Sequence, residues 1–167
     1  MTKTKLISYI SVILLAVLLV LQFMPYWQYP TTVKNKETGD KEEVMVSASM
    51  QSYVWLVDEN KDLSKIIQTE LENKDFVVDD IIGFPIIILV LGVLGIVFLL
   101  IKSDNFAFTL LPLAAGIIGI ACLLTIPALK ISSADAANHT AQLIVSILLT
   151  VAGGAGFGLG LADSLKK

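Results

Sequence analysis

Four long apolar stretches dominate the pattern of hydrophobic and polar positions along the chain. Each holds about 20 residues and almost no charge, which is the length that a helix needs to cross a bilayer core of ~30 Å. Because backbone N–H and C=O groups in lipid must be paired within their own segment, the pattern predicts helices. We expect the membrane spans at residues 6–24, 81–101, 106–127 and 141–161.

The polar segments that separate these spans predict the order of the parts. Short tails stand at 1–5 and 162–167, and a turn at 102–105 joins the second and third spans. A connection this short forces the two helices that it joins to lie antiparallel. A polar segment at 25–80 follows the first span, and a shorter loop at 128–140 precedes the fourth. The predicted fold class is an all-α membrane protein, a four-helix transmembrane bundle.

The segment between the first two spans predicts a small folded domain. Residues 43–48 alternate broadly between polar and apolar types, and Gly39-Asp40 supplies turn chemistry, so we expect a β-hairpin. A third strand is expected at 53–57, where β-branched and aromatic residues are dense. Apolar residues then recur at helical spacing, which predicts a short helix at 62–73. The expected core of this domain is Val44, Val46, Tyr53, Trp55, Leu63, Ile66 and Ile67.

The distribution of charge predicts how the chain crosses the membrane. All 12 basic residues are lysine, and those near span ends concentrate in the two tails and in the turn at 102–105. Because positive residues favour the cytoplasmic side, both termini are expected in the cytoplasm and the 25–80 domain outside the plasma membrane. Tyr26, Trp27 and Tyr29 follow the first span and are expected to anchor it at headgroup depth.

Glycine is the strongest positive feature of the spans. Glycines cluster at the end of the fourth span with spacings that place them on two helix faces, and small residues so spaced let backbones approach closely. Two interpretations stay open, namely tight packing within one bundle and binding of another subunit through one glycine face. The candidate positions are Gly153, Gly156 and Gly160 on one face, Gly154 and Gly158 on the other, and Ala115 and Gly119 in the third span.

Ionisable groups, which mark transport and catalysis in membranes, are missing from the spans. No Asp, Glu, Lys, Arg or His lies in the middle of any span, although pumps and proton-coupled transporters place such residues there. In the outer segment, Asp58, Asn60 and Asp62 have the spacing of a calcium loop. Leu63 and Thr69, however, stand where that loop requires glycine and glutamate.

The remaining polar residues favour structural roles. Gln22 lies at the outer end of the first span, where the interface is expected to solvate it, and Cys122 is interpreted as a small apolar filler. His139 is the only histidine and has no cysteine near it in sequence, so a metal site would lack the usual nitrogen and sulfur ligands. We therefore expect no catalytic residue, no metal and no cofactor. The absence of a basic patch with interleaved aromatic residues argues against nucleic acid as a partner.

The layout resembles that of the claudin-like four-span membrane proteins. Pro25-Tyr26-Trp27 looks like the tryptophan element that follows the first span in that family, and Trp55-Leu56 is a loose counterpart of a later element. The resemblance implies cytoplasmic termini and an outer loop folded as a small antiparallel sheet with a short helix. The two loop cysteines of the family are missing here, so the sheet lacks their cross-link.

These observations favour a non-enzymatic multi-pass membrane protein. Its outer domain is expected to mediate protein–protein or envelope interaction within a membrane complex. The alternative is a channel, transporter or transporter accessory subunit formed by oligomerisation. The expected partners are membrane lipid together with a protein partner or further copies of the chain.

Overall fold

Four long helices form most of the part of the chain that the computed structural model describes, which is residues 3–34, 41–49, 78–128, 133–134 and 136–166. Each predicted span coincides with one helix, and all four helices are long and apolar enough to cross a membrane. The prediction of a bundle of four helices of membrane-spanning length is thereby confirmed. The helices are α1 (Lys3–Leu21), α2 (Val78–Ile101), α3 (Leu110–Ala128) and α4 (Ala136–Ser164).

The helix ends differ from the predicted span ends. Helix α4 starts at residue 136 instead of 141, and α1 stops at residue 21 instead of 24. The third span begins with a separate 3-10 helix, Phe106–Thr109. Asn105 caps the start of this helix, because its side-chain oxygen accepts a hydrogen bond from the Ala107 N–H. These differences arise because apolar composition marks the stretch that lipid surrounds, whereas backbone hydrogen bonds set the helix ends.

The helices pack side by side in the ring order α1, α2, α3, α4, with α4 returning against α1. Small residues sit where neighbouring helices approach. On α2, Gly95 faces Leu15 and Gly92 faces Leu19 of α1. Residue numbers thus rise along α1 as they fall along α2, which shows that the two helices are antiparallel.

Apolar side chains form both the interior and the outer surface of the bundle. Leu15, Leu18 and Leu149 are completely buried and lie in one hydrophobic cluster. On the outside, Leu124 and Val151 remain 70% and 63% exposed. A bundle that is apolar on its outer face as well as its inner one is typical of helices that lipid surrounds.

A small sheet lies beside the helices. Strand β1 (Pro25–Lys34) pairs antiparallel with β2 (Lys41–Ser49), so that β1 and β2 flank residues 35–40. The sheet order is β2-β1-β3, where β3 is Ser133–Ala134. Strand β3 was not predicted, because it belongs to the polar connection between α3 and α4. The third strand predicted at 53–57 and the helix predicted at 62–73 lie outside the described residues.

Candidate functional site

Most buried polar side chains lie near one of the two ends of the bundle, and Ser146 of α4 lies between them. We call the end where α1 and α3 finish the sheet end, and the end that holds residues 102–105 the turn end. Gln22 and Gln142 are completely buried near the sheet end. Ser8 and Thr109 are completely buried near the turn end. Among the residues that the structure describes, every buried polar side chain is uncharged.

An apolar layer separates these two polar regions. The buried face of α1 begins at the turn end with Thr4, Ser8 and Ser11 and continues with Leu15 and Leu18, which are 0% exposed. Leu149 of α4 is equally buried in the same hydrophobic cluster. A path for water or ions needs a continuous polar or open lining, and the leucines interrupt it. Ser146 of α4 is also 0% exposed and lies at about the level of Leu18, so this layer holds one buried hydroxyl among its apolar side chains.

The position of Gln22 in the sequence predicted that the membrane interface would solvate its side chain. This prediction is wrong. The Gln22 side chain is completely buried, and the backbone N–H of this residue still donates to the carbonyl of Leu18 at 3.2 Å. The prediction failed because Gln22 follows Leu18 by one helical turn and therefore continues the buried face of α1. A buried amide is costly unless its hydrogen bonds are satisfied.

Gln142 lies at about the same level as Gln22 on the neighbouring helix. Ile7 of α1 sits against Gly156 of α4, and both helices advance ~1.5 Å per residue in opposite directions. Counting the same number of residues along both helices from that contact places Gln22 at the level of the first turns of α4, which contain Gln142. Within the part of the chain that the structure describes, both side-chain amides lack a hydrogen-bond partner. Gln142 was not among the predicted site residues, although it is a second amide inside an apolar stretch.

Helices α3 and α4 approach each other closely at two glycines of α3. A Cβ atom on Gly116 would lie 2.6 Å from the carbonyl oxygen of Ser146, and one on Gly119 would clash with the Ser146 side chain. The Thr150 hydroxyl donates to the Ser146 carbonyl at 2.9 Å. Of the predicted pair in α3, Gly119 makes this contact and Ala115 is completely buried.

The two predicted glycine faces of α4 have different surroundings. Gly153, Gly156 and Gly160 all face the inside of the bundle, against Leu113, Thr109 and Phe106 respectively. On the second face, Gly154 has only an ordinary contact at 3.9 Å, and Gly158 has no atom within 4 Å of an added Cβ. Within the described residues, the first face packs against neighbouring elements, and the second has no close contact.

Polar contacts link α1 to the turn between α2 and α3. The Ser8 hydroxyl donates to the carbonyl of Ser103 at 2.9 Å. Lys5 Nζ lies 3.6 Å from Asp104 Oδ2, and this ion pair is largely exposed to solvent. A groove of about 620 Å³ opens beside these residues and is lined on its other side by Tyr9 and Lys102.

The remaining predicted site residues fall in or beyond the sheet. Tyr26, Trp27 and Tyr29 belong to β1, where Trp27 pairs with both Ala48 and Ala134. Val44 and Val46 belong to β2, with Val46 opposite Tyr29. The other expected core residues lie outside the described part: Tyr53, Trp55, Leu63, Ile66 and Ile67.

Comparison with known proteins adds no assignment. No protein-family model matches the chain, and neither the curated proteins nor the solved structures offer a match. The claudin-like resemblance therefore stays a prediction. Within the described residues, no group of three His, Cys, Asp or Glu side chains could hold a metal ion. Cys122 is buried and has no disulfide partner.

Proposed function

We propose that this chain is a non-enzymatic multi-pass protein of the plasma membrane whose sheet-bearing segment contacts another protein or the cell envelope. The observation that carries the proposal is the strand order β2-β1-β3. It joins the connection after α1 to the connection between α3 and α4. A surface built from two connections at one end of a bundle is a suitable platform for a partner outside the lipid.

The charge pattern supports an outward position for this platform. Lys5, Lys102 and Lys166 stand at the turn end of the bundle or in the tail beyond it. Because lysine near span ends favours the cytoplasm, the turn end and both termini are assigned to that side. The sheet then lies outside, together with the acidic segment that follows it. The arrangement agrees with the claudin-like layout that the sequence resembles.

The mainly apolar centre of the bundle supports an anchoring role for the helices. Completely buried Leu15, Leu18 and Leu149 fill the level at which a carrier would need a polar site or an open path. The buried polar groups in the described residues are hydroxyls and amides, which cannot supply the charge changes of a proton-coupled carrier. The bundle is thus better suited to hold the outer surface in place within a complex.

Photo-crosslinking in living cells tests the proposal. A photoreactive residue is placed at Lys34 in β1, at Lys41 in β2, or at the control position Lys166 beyond α4. We expect one protein partner to be recovered from both sheet positions and to be missing from the control. Crosslinks to protein from Lys166 alone, with only lipid or nothing from the sheet, would contradict the proposed role of the outer surface.

The alternative function is a channel or a transporter subunit that forms by oligomerisation. It draws support from Gly158, which faces away from the bundle with no atom near it and leaves room for a second helix. Any path would then run between subunits rather than through one bundle. Ion flux by the purified protein in liposomes, lost in Gly158→Leu, would favour this alternative over the first function.

A further inference from the structure

The groove at the turn end has the composition of a headgroup site. It measures about 620 Å³ and lies between the first turns of α1 and the last residues of α2. Lys5, Lys102 and Asn105 line it, and each offers hydrogen-bond donors. Tyr9 adds an aromatic ring with a hydroxyl, a residue that is common where hydrocarbon meets water.

The net charge of the groove is positive. Two lysines line it against one acid, Asp104, whose side chain is 70% exposed. The Lys5–Asp104 pair spans 3.6 Å near water, and an exposed pair of this kind contributes little energy. A phosphate can therefore compete with Asp104 for Lys5 while Lys102 supplies a second cation. The charge favours an anionic ligand over a neutral one.

Part of the lining of the groove is apolar. Leu100 and Ile101, the last two residues of α2, are 56% and 69% exposed and also line it. These side chains belong to the end of a span, so the groove lies at the boundary between hydrocarbon and headgroups. A ligand that fits here carries its charge on a polar head and continues into an acyl chain.

We propose that this groove binds the phosphate of an anionic phospholipid in the leaflet at the turn end of the bundle. Lys5 and Lys102 hold the phosphate, and the acyl chain runs along Ile101. Asp104 opposes binding because it competes for Lys5. A zwitterionic lipid with a primary amine would reverse the sign of this last effect, since its ammonium group would pair with Asp104.

Native mass spectrometry of the full chain released from detergent measures this preference. Phosphatidylglycerol, phosphatidylethanolamine and phosphatidylcholine with matched acyl chains are offered separately. A lysine at a membrane surface contributes ~1 kcal/mol toward an anionic lipid, or about fivefold in affinity. We expect phosphatidylglycerol to be retained about fivefold more than the other two, and Lys102→Gln or Lys5→Gln each to remove most of this preference.

Two variants separate the site from the general charge of the protein. Asp104→Asn should raise retention of phosphatidylglycerol by a few fold, and because this is a gain it cannot result from misfolding. Lys166→Gln changes the same charge in the exposed turn after α4 and should leave retention unchanged. Equal retention of all three lipids would overturn the proposal, as would an equal loss in Lys166→Gln.

Soluble phosphate distinguishes a lipid site from a phosphate site. Glycerol phosphate at millimolar concentration should displace little bound phosphatidylglycerol, because it lacks the acyl chain that contacts the end of α2. Complete displacement would contradict the assignment to a lipid. Reduced retention of phosphatidylethanolamine in Asp104→Asn, without a gain for phosphatidylglycerol, would likewise contradict an anionic ligand.

Discussion

A Cβ atom built on Gly153 would lie 2.5 Å from the backbone nitrogen of Leu113. Helix α4 therefore touches the backbone of α3 at this point, and no side chain separates them. Five residues along the same helix, Gly158 would meet no atom within 4 Å. Glycine is thus required for packing at one of these positions and is free of internal contacts at the other.

Gly153→Ala is expected to destabilise the bundle. The added methyl group meets backbone atoms, which cannot move aside as a side chain can, and overpacking of this kind typically costs about 1–3 kcal/mol. Thermal unfolding in detergent measures the loss. Gly158→Ala is the matched control and should be neutral or stabilising by up to ~1 kcal/mol, since alanine is the better helix former. Equal losses in the two variants would contradict the assigned contacts.

Gly158→Leu tests whether the outward glycine face binds a second copy of the chain. Because small residues permit close approach between helices, leucine should reduce the size of the assembly in mild detergent without lowering the unfolding temperature of the bundle. Size-exclusion chromatography with light scattering gives the mass. Ala16→Leu makes a similar change on an exposed part of α1 and serves as control. An unchanged mass in Gly158→Leu would argue against this interface.

Gln142→Leu is expected to raise the stability of the bundle. The Gln142 amide is completely buried and finds no hydrogen-bond partner among the described residues, so it bears a desolvation cost of about 1–3 kcal/mol that leucine avoids. The unfolding temperature in detergent should rise accordingly. Gln142→Asn keeps the amide and should not reproduce the gain. A fall in stability with leucine would mean that the amide binds a group essential to the fold.

Cysteine labelling tests the orientation of the chain. Lys41→Cys places a thiol in β2, and Lys166→Cys places one beyond α4. An impermeant maleimide added to intact cells should label the first and reach the second only after the membrane is opened. The native thiol gives little background because Cys122 is 1% exposed. Labelling of both positions in intact cells would contradict the proposed topology.

Local composition was sufficient to predict the spans. A run of about 20 apolar residues has one stable arrangement in lipid, because the backbone must satisfy its own hydrogen bonds. Helical periodicity likewise separated Gly153 and Gly156 from Gly158, since positions three or four apart share a face. The short length of the connection at 102–105 was sufficient to predict that the two helices it joins are antiparallel. In each case the cause lies within a few turns of chain.

Contacts between distant segments decided the rest. Composition could not reveal that Gly153 faces inward while Gly158 faces outward, because both faces look alike until α3 is in place. Gln22 was expected at the interface and is buried, since its surroundings depend on α4. Strand β3 formed from a loop because two connections meet at one end of the bundle. The sequence by itself determined which segments form helices long and apolar enough to cross a membrane and which residues share a helix face. Only the tertiary structure decided which face each helix turns inward, because that choice depends on partners far away in the chain.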